Sequence, residues 1–393
     1  MTHQKNTGLI HHPYRAPAGF DAVPPGVYKA STVIFKNTAA MRARDWKDRN
    51  GYTYGLHGTP TSMVLEERIA TLEGGLQTLL VPSGLAAIAL VDMALLKSGD
   101  EVLIPSNAYG PGKELALQEL AGWGITCRFY DAMDAQALNS IIGASTKLVW
   151  LEAAGSITME FPDLLGLVRV CKARGVLSAL DNTWGAGIAF NAFDLGAGQG
   201  VDICMQALTK FPSGGADVLM GSVTTRIEAL HLRLKAAHSR MGWGVGMNDV
   251  ELVLRGLPSI QVRYTAHDQA ARGLAKWWLQ QSEVTQVLHP ALAASPGHAH
   301  WKVVCNDQAA GLFSVVFDER FSTAQVDAFV DALKLFKIGF SWAGPLSLAV
   351  PYDIKALRKD ASWRGNLVRF SLGLEDVEDL IADCAQAMAV LRR

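Results

Sequence analysis

Three features of the central sequence each follow a short apolar run, and each could take part in chemistry. The turn Ser83-Gly84-Leu85 follows the run 79–82, and its backbone N–H groups, at the start of a helix, could bind an anion. Asp181 ends the run 176–180 and brings a carboxylate, whereas Lys210 follows the run 206–209 and brings a primary amine. Taken singly, each feature is also typical of a simple turn, a helix cap or a solvated surface position.

The combination of these features within one part of the chain predicts a pyridoxal phosphate (PLP) enzyme. The aldehyde of PLP needs an amine for a Schiff base, its ring nitrogen needs an anion in order to stay protonated, and its phosphate needs N–H donors. One bound PLP would use Lys210, Asp181 and the turn at Gly84 in these roles. ATPases and nicotinamide enzymes are disfavoured, because the sequence has no G-x-x-x-x-G-K-[ST] motif and Gly196-Ala-Gly198-Gln-Gly200 lacks the spacing of a dinucleotide site.

The elements that would position these residues are apolar runs alternating with helical stretches. Runs that are apolar on both faces and separated by helices are typical of a mostly parallel sheet covered on both sides. Ligands of such α/β sheets lie at the carboxyl ends of the strands, where Asp181 is expected. The predicted strands are 79–82, 101–104, 125–130, 147–152 and 176–181, and the predicted helices are 61–73, 84–97, 113–121 and 163–174.

The two ends of the chain follow different patterns from this central part. Residues 1–58 are rich in Pro, Gly and isolated aromatic residues without a regular period, so they are predicted to form an arm with no core of its own. Residues 59–248 are predicted to form the large α/β domain, and residues 249–393 a smaller α+β domain. The smaller domain is expected to begin with a helical stretch that reaches residue 281 and is interrupted at Gly256 and Pro258. Two half-buried antiparallel strands are expected at 312–318 and 366–372, and two helices at 323–335 and 376–391.

The composition excludes several classes of function. With 36 Lys and Arg against 37 Asp and Glu, the 393-residue chain has a net charge of −1 and no basic run, so neither nucleic acid nor an anionic membrane surface is an expected partner. No apolar run approaches the roughly 20 residues that span a bilayer, and the N-terminus lacks the pattern of a secretory signal. A cytoplasmic protein is expected, and its five cysteines have no CxxC spacing. His298 and His300 lie in an expected loop without a helically spaced carboxylate, so no metal site is predicted.

A set of short motifs is distributed along the whole chain. They are Tyr52-Thr-Tyr54-Gly-Leu-His-Gly-Thr-Pro60-Thr61, Leu72-Glu-Gly-Gly75, Asn107-Ala-Tyr109, Glu152-Ala-Ala-Gly-Ser156, Asp181-Asn-Thr-Trp184, Gln206-Ala-Leu-Thr209-Lys210, Ser341-Trp342 and Val368-Arg369-Phe-Ser-Leu-Gly-Leu-Glu375. Singly the motifs are weak, but their joint order and spacing are specific, and together they resemble the Cys/Met metabolism family of fold-type I PLP enzymes.

The resemblance implies which residues bind the cofactor. Lys210 would form the Schiff base, Asp181 would pair with the pyridine nitrogen, and Tyr109 would stack on the cofactor ring, for which an aromatic face is suited. The phosphate would be bound by Gly84, Leu85 and Thr209, and by Tyr54 of a neighbouring subunit. The sequence departs from the family at Leu56, where relatives usually carry an arginine that joins this tyrosine. We expect the backbone and hydroxyl donors, with His57, to compensate for the missing charge. The alternative is that Leu56 only packs the subunit contact and that another cation, which the sequence does not identify, supplies the charge.

The resemblance also implies a substrate site and a reaction. Arg369 would bind the substrate carboxylate with its planar pair of donors, and Ser341 and Trp342 would line the substrate side. The expected substrate is a small amino-acid thioether, with β-elimination from cystathionine giving homocysteine, pyruvate and ammonia in methionine biosynthesis. Two features favour β-elimination: Ala207, where γ-acting relatives commonly have serine, and Trp342, where they often have an aliphatic residue.

Other functions remain open from the sequence. Within the family, a γ-lyase acting on cystathionine or methionine, a cysteine desulfhydrase and a γ-synthase share the same cofactor chemistry, and racemisation is an accessible side reaction. A non-catalytic relative would be expected to lack Lys210 or Asp181, and both are present. The resemblance further implies a homotetramer built from dimers that share active sites.

Overall fold

The structure is a computed structural model that describes residues 5–11, 17–20, 22–46, 51–353, 358 and 365–392. Parts of the predicted arm, namely 1–4, 12–16, 21 and 47–50, lie outside the described residues, as do 354–357, 359–364 and 393.

Within the described chain, seven strands form the sheet of the large domain, in the order β1-β7-β6-β5-β4-β2-β3. The five strands from β2 to β6 are parallel to one another, whereas β7 is antiparallel to both of its neighbours, β1 and β6. The predicted mostly parallel α/β sheet is therefore confirmed. The strands are β1 Gln77–Val81, β2 Glu101–Pro105, β3 Thr126–Tyr130, β4 Thr146–Glu152, β5 Leu177–Asp181, β6 Ile203–Ala207 and β7 Gly221–Thr225.

Helices cover both faces of this sheet. The helices of this part of the chain are α1 Lys5–Ile10, α2 Thr38–Arg42, α3 Pro60–Glu73, α4 Gly84–Leu95, α5 Gly110–Leu115, α6 Ala135–Ile141, α7 Leu164–Arg174 and α8 Glu228–Met241, and α2 has no buried residue. Local sequence explains where the important ones begin and end. The N–H of Ala86 donates to the Ser83 side chain, which caps α4, and α3 begins with a capping box at Thr59 and ends at Gly74 in the left-handed conformation. Helices α4 and α8 pack on one face of the sheet, and α3 and α7 pack in the core on the other face.

The smaller domain contains a fully antiparallel sheet in the order β10-β11-β9-β8. The strands of this sheet are β8 Val284–Leu288, β9 Leu312–Phe317, β10 Leu348–Tyr352 and β11 Leu367–Ser371. The helices in this part of the chain are α9 Met247–Gly256, α10 Ile260–Trp278, α11 His298–Val304, α12 Thr323–Asp331 and α13 Val377–Ala387, and α9 packs in the core of the large domain. The predicted interruption at Gly256 and Pro258 is confirmed as a 3₁₀ turn, Leu257–Ser259, between α9 and α10. The indole of Trp278 packs on three phenylalanine rings at the centre of this domain.

The prediction that β9 and β11 are half-buried is wrong, because every residue of both strands is buried. The polar side chains of these strands face the large domain instead of solvent. Ser314 Oγ donates to the carbonyl oxygen of Ile157 at 2.5 Å, and Arg369 lines a cavity between the two sheets. The apolar residues that alternate along β9 and β11 therefore face the core of the smaller domain, and the polar residues between them form a buried contact with the large domain.

The described part of the arm contacts the large domain at Leu9, at Thr61 and at α8, but it also exposes several apolar side chains. Leu9 of α1 is only 2% exposed and belongs to the core that α3 covers. In contrast, Val23 and Ile34 are 96% and 86% exposed, and Phe20 is also largely exposed. Residues 17–46 therefore present apolar side chains that no described residue of the same chain covers.

Three other predictions concern single residue types. All five cysteines are unpaired, four of them buried and Cys127 partly buried. His298 and His300 begin the short helix α11 and do not lie in the expected loop. Among the described residues, no group of His, Cys, Asp and Glu side chains is arranged to bind a metal, and no helix is long and apolar enough to cross a membrane.

Candidate active site

A cavity of about 560 Å³ lies at the carboxyl ends of the parallel strands, between the large sheet and the smaller domain. Its volume is within the range of small-molecule sites. The structure brings together nine of the ten site residues predicted from the sequence, and only Tyr54 lies elsewhere. The nine are Gly84, Leu85, Tyr109, Asp181, Thr209, Lys210, Ser341, Trp342 and Arg369.

One end of the cavity is the N-terminus of α4. The side chain and the carbonyl oxygen of Ser83 accept the N–H groups of Ala86 and Ala87. The N–H groups of Gly84 and Leu85 donate to no described acceptor and border the cavity. Two unused donors at the positive end of a twelve-residue helix are suited to an anion such as phosphate.

Close backbone packing explains the glycine in this turn. A Cβ atom at position 84 would lie 2.7 Å from the Cβ of Ala207, which ends β6. The strand and the helix terminus therefore approach each other as closely as two small residues allow.

Thr209 lies beside this turn, but its hydroxyl group donates to the carbonyl oxygen of Met220 at 3.2 Å and accepts the N–H of the same residue at 3.1 Å. Its proton is thus already engaged within the chain.

Asp181 ends β5, as the sequence predicts, and its carboxylate borders the cavity. The N–H and the hydroxyl of Thr183 both donate to Oδ1, at 2.9 and 2.5 Å. Burial raises the pKa of Asp181, while these two hydrogen bonds and the charge of Lys210 counteract the increase. Since both contacts fall on Oδ1, the other oxygen is available to a cationic N–H group in the cavity.

Lys210 lies in the turn after β6, with its Nζ 2.8 Å from the Oγ of Ser341. The same Nζ is 5.7 Å from the centre of a ring of Trp342, which in turn packs edge-to-face against Phe211. Burial and the charge of Arg369 lower the pKa of Lys210 to about 8, and Asp181 opposes this change. A buried amine with this pKa exists partly as the free base near neutral pH and can act as a nucleophile or a base.

Arg369 occupies the middle of β11 and is only 9% exposed. Its guanidinium group lies 5.4 Å from the centre of the Tyr352 ring, and its Nε has no hydrogen-bond partner among the described groups. An unpaired buried guanidinium is costly unless a ligand pairs with it. The bidentate geometry of arginine makes a carboxylate the best-fitting ligand.

Glu152 is a cavity residue that the sequence motif includes but whose role was not predicted. It ends β4 in register with Asp181 on β5, and its Oε2 accepts the N–H of Tyr109 at 2.8 Å. Burial and the nearby charge of Asp181 raise the pKa of Glu152 well above its usual range, against the effect of hydrogen bonds from Tyr109 and Ser156. The signal that identified Asp181, a carboxylate at the end of an apolar strand, also applies to Glu152.

Tyr54 and His57 do not line the Lys210 cavity of their own chain. Tyr54 borders a second cavity on the outer side of α8, and His57 hydrogen-bonds to Thr53 at 2.8 Å. Burial and the charge of Lys235 lower the pKa of His57, so the imidazole is mainly neutral at pH 7. The expectation that His57 replaces the charge missing at Leu56 is therefore not supported by its surroundings.

The residues of the Lys210 cavity fit PLP. The anion-binding turn, the amine of Lys210 and the carboxylate of Asp181 match the phosphate, the aldehyde and the ring nitrogen of that cofactor. A further unpaired guanidinium, that of Arg369, remains for a substrate carboxylate. No metal is required by this set of donors.

Comparison with known proteins agrees with this geometry. Residues 6–389 match the family model described as Cys/Met metabolism PLP-dependent enzyme. The chain is 36% identical to the cystathionine beta-lyase of Bordetella avium, over 97% of this chain and 96% of that protein, and 33% identical to the cystathionine beta-lyase of Salmonella typhimurium, over 98% of each. The crystal structure of cystathionine gamma synthase from Xanthomonas oryzae pv. oryzae superposes with a TM-score of 0.90 at 27% identity, over 100% of this chain and 99% of that chain.

Proposed function

Because the chain belongs to the Cys/Met metabolism family of PLP-dependent enzymes, we propose that it is a carbon–sulfur β-lyase that converts cystathionine and water to homocysteine, pyruvate and ammonia. One observation carries the proposal: a single cavity combines the amine of Lys210, the carboxylate of Asp181 and the unpaired guanidinium of Arg369 beside an anion-binding helix terminus.

The residues that would hold the cofactor are those that border the cavity near β5, β6 and α4. When bound, PLP supplies an aldehyde that bonds to amines and a ring that withdraws electrons from the substrate. Lys210 would hold it covalently through Nζ, and the Asp181 carboxylate would keep the ring nitrogen protonated. The N–H groups of Gly84 and Leu85 would bind the phosphate, and Tyr109 would cover the ring, its backbone N–H being fixed by Glu152.

The substrate would lie between Lys210 and the smaller domain. Arg369 would bind its carboxylate and so fix the direction of the Cα–H bond relative to Lys210. Once the substrate amine has taken the place of Lys210 at the cofactor aldehyde, the released Nζ would remove the Cα proton, which its lowered pKa of about 8 favours. Ser341, 2.8 Å from Nζ, would orient the amine, and the Trp342 ring would close the same side of the cavity.

Two cavity residues, Ala207 and Trp342, are those by which the family resemblance favours β-elimination over reaction at the γ-carbon. Ala207 contributes only a methyl group next to Gly84, and Trp342 is fixed against Phe211 so that its rings stand beside Lys210. The alternatives are a cystathionine or methionine γ-lyase, a cysteine desulfhydrase and a γ-synthase. They differ from the proposal in the products and not in the residues that hold PLP.

The decisive experiment is product identification. The purified protein is incubated with cystathionine, and the keto acid and the thiol amino acid are identified by mass spectrometry. Pyruvate with homocysteine is the expected result. Recovery of 2-oxobutyrate with cysteine as the main products would assign the protein to the γ-lyases, and absence of any keto acid would refute a lyase function.

We further propose that the protein acts as a cytoplasmic homotetramer with an arm at 1–58 and domains at 59–248 and 249–393. The exposed apolar side chains of Val23 and Ile34 support contact of the arm with another subunit. Each of the two sheets lies within one of the proposed domain ranges. Sedimentation of the purified protein would test the assembly.

A further inference from the structure

The second cavity, which Tyr54 borders, contains two arginine side chains. This open cavity of about 330 Å³ lies between the arm and the last turns of α8. Arg44 follows α2, and Arg240 is in the last turn of α8. Neither guanidinium forms an ion pair with a described carboxylate, and Arg44 donates only to the carbonyl oxygen of Met41, at 2.8 Å. The cavity thus combines two uncompensated positive charges with one phenol hydroxyl.

The Lys210 cavity has the opposite imbalance once the proposed cofactor is considered. Among the described residues that border it, the cations are Lys210 and Arg369, and the one ionised carboxylate is Asp181, because burial and the charge of Asp181 raise the pKa of Glu152 well above its usual range. Lys210 would be used by the aldehyde and Arg369 by the substrate carboxylate. A phosphate group carries nearly two negative charges at pH 7, and the turn at Gly84 offers it only uncharged N–H donors.

The described residues that line the Lys210 cavity include no further cation for the phosphate, and this cavity shares no residue with the one that holds Arg44 and Arg240. A second copy of the chain could supply the missing charge. The arm next to Arg44 exposes apolar side chains, including Val23 and Ile34, that need an apolar partner. A contact between two identical chains that covers the arm would also present the positive cavity of each chain to its partner, and opposite charges favour this arrangement.

We propose that Arg240 and Arg44 bind the cofactor phosphate in the Lys210 cavity of a second copy, and that they supply the charge that Leu56 does not. The proposal rests on the proposed function, since it takes PLP as the occupant of the Lys210 cavity. Tyr54 borders the same cavity as the two arginines and would approach the phosphate together with them. The guanidinium groups suit a phosphate because each can donate two parallel N–H bonds to its oxygens.

Cofactor retention tests the proposal without relying on turnover. Wild type, Arg240→Gln, Arg44→Gln and the double variant are loaded with PLP and dialysed, and the visible absorbance of the bound cofactor is followed over time. Arg169→Gln is the matched control, because it removes the same charge from the exposed face of α7, away from both cavities. We expect PLP loss about tenfold faster in the single variants and faster again in the double variant. Loss at the rate of the control in all three variants would overturn the proposal.

Mixed oligomers test whether the arginines act on another subunit. Lys210→Ala and Arg240→Gln chains with different tags are co-expressed, and the hybrid oligomers are purified. If Arg240 acts across the contact, each hybrid dimer has one complete site and retains PLP at that site at the wild-type rate. If Arg240 acted within its own chain, no hybrid site would be complete, every site would lose PLP at the variant rate, and the proposal would be overturned.

A separate measurement identifies a different ligand for the same arginines. In Arg240→Gln, a higher KM for cystathionine but not for S-methylcysteine, with unchanged PLP retention, would assign the arginines to the distal carboxylate of the substrate and refute the phosphate assignment. A wild type that holds PLP but forms no pyruvate would refute the β-lyase function, while the retention rates would still decide the role of Arg240.

Discussion

The assignment of Arg369 to the substrate carboxylate leads to a prediction that separates charge from geometry. Arg369→Lys keeps a positive charge on β11, so the effect of this charge on the pKa of Lys210 is largely preserved. The variant loses the planar pair of donors and the contact of the guanidinium with the Tyr352 ring. Any loss of activity therefore reports on how the carboxylate is bound and not on the amine of Lys210.

The size of the loss follows from the contact that disappears. A hydrogen bond to a charged group contributes about 1.5–3 kcal/mol. Arg369 is buried between Tyr352 and the cavity, so its guanidinium group is already held in place before the substrate binds. We expect a loss of about 2–3 kcal/mol in transition-state binding, which corresponds to a decrease in kcat/KM of roughly 30- to 160-fold. Arg169→Lys, on the exposed surface of α7, should leave kcat/KM unchanged.

The assay combines pyruvate formation with a pair of inhibitors. One inhibitor is an unreactive amino acid with a free carboxylate, and the other is its methyl ester. Wild type should bind the free acid more tightly than the ester, and Arg369→Lys should reduce this difference. An unchanged kcat/KM would show that the carboxylate is bound elsewhere, and a lower kcat/KM with an unchanged acid-to-ester ratio would show that the variant damages the fold and not the carboxylate contact.

Three other variants test the cofactor site and the core. Lys210→Ala should lose both the covalently bound chromophore and the lyase activity, and turnover without an added amine would remove Lys210 from the mechanism. Gly84→Ala, whose new Cβ would lie 2.7 Å from that of Ala207, should lower the free energy of unfolding by about 1–3 kcal/mol and weaken PLP retention, and Ala207→Gly in the same chain should restore both. Burial raises the pKa of Asp92 to about 7, so at pH 5 this carboxyl group is protonated in the folded protein but ionised in the unfolded chain. The stability that comes with that proton is fully present below about pH 4 and is lost as the pH rises from there to about 7. In urea unfolding, the stability of Asp92→Asn relative to wild type should therefore rise by about 2–3 kcal/mol between pH 5 and pH 8.5, and a relative stability that does not change with pH would contradict the buried charge.

Local sequence patterns predicted those parts of the fold that local physics determines. The start of α4 directly after the turn at Ser83 and the turn between α9 and α10 involve residues only a few positions apart, and both were predicted from the sequence. Strand β7 was not predicted, because Gly221-Ser-Val-Thr-Thr225 has no apolar run. It is nevertheless fully buried, since β1 and β6 pair with it on either side. Its burial depends on two strands that are distant in sequence.

The candidate site shows the same division. Asp181 and Lys210 could be predicted because parallel strands end at one edge of a sheet, so residues that follow such strands converge there. Arg240 and Arg44 could not be associated with Tyr54 from the sequence. Arg44 follows α2 in the arm and Arg240 lies in the last turn of α8, and only the packing of the arm on α8 brings them into one cavity. The prediction that β11 is half-buried was wrong for a similar reason. Its alternating polar residues are typical of a solvent-facing side, but this strand lies between two domains and its polar face is buried there.

The pairing of Glu152 with Asp181 explains how one strand edge can carry two carboxyl groups with different charges. The two residues are in register on neighbouring strands, so both could be ionised only at a high electrostatic cost. Asp181 receives two hydrogen bonds from Thr183 and lies near the charge of Lys210, and both effects favour its ionised form. Glu152 is more strongly affected by burial and by the charge of Asp181, so its pKa is raised well above the usual range and it keeps its proton. The sheet edge therefore presents a single negative charge, at Asp181, while the protonated Glu152 fixes the backbone of Tyr109 without competing for a cationic ring nitrogen.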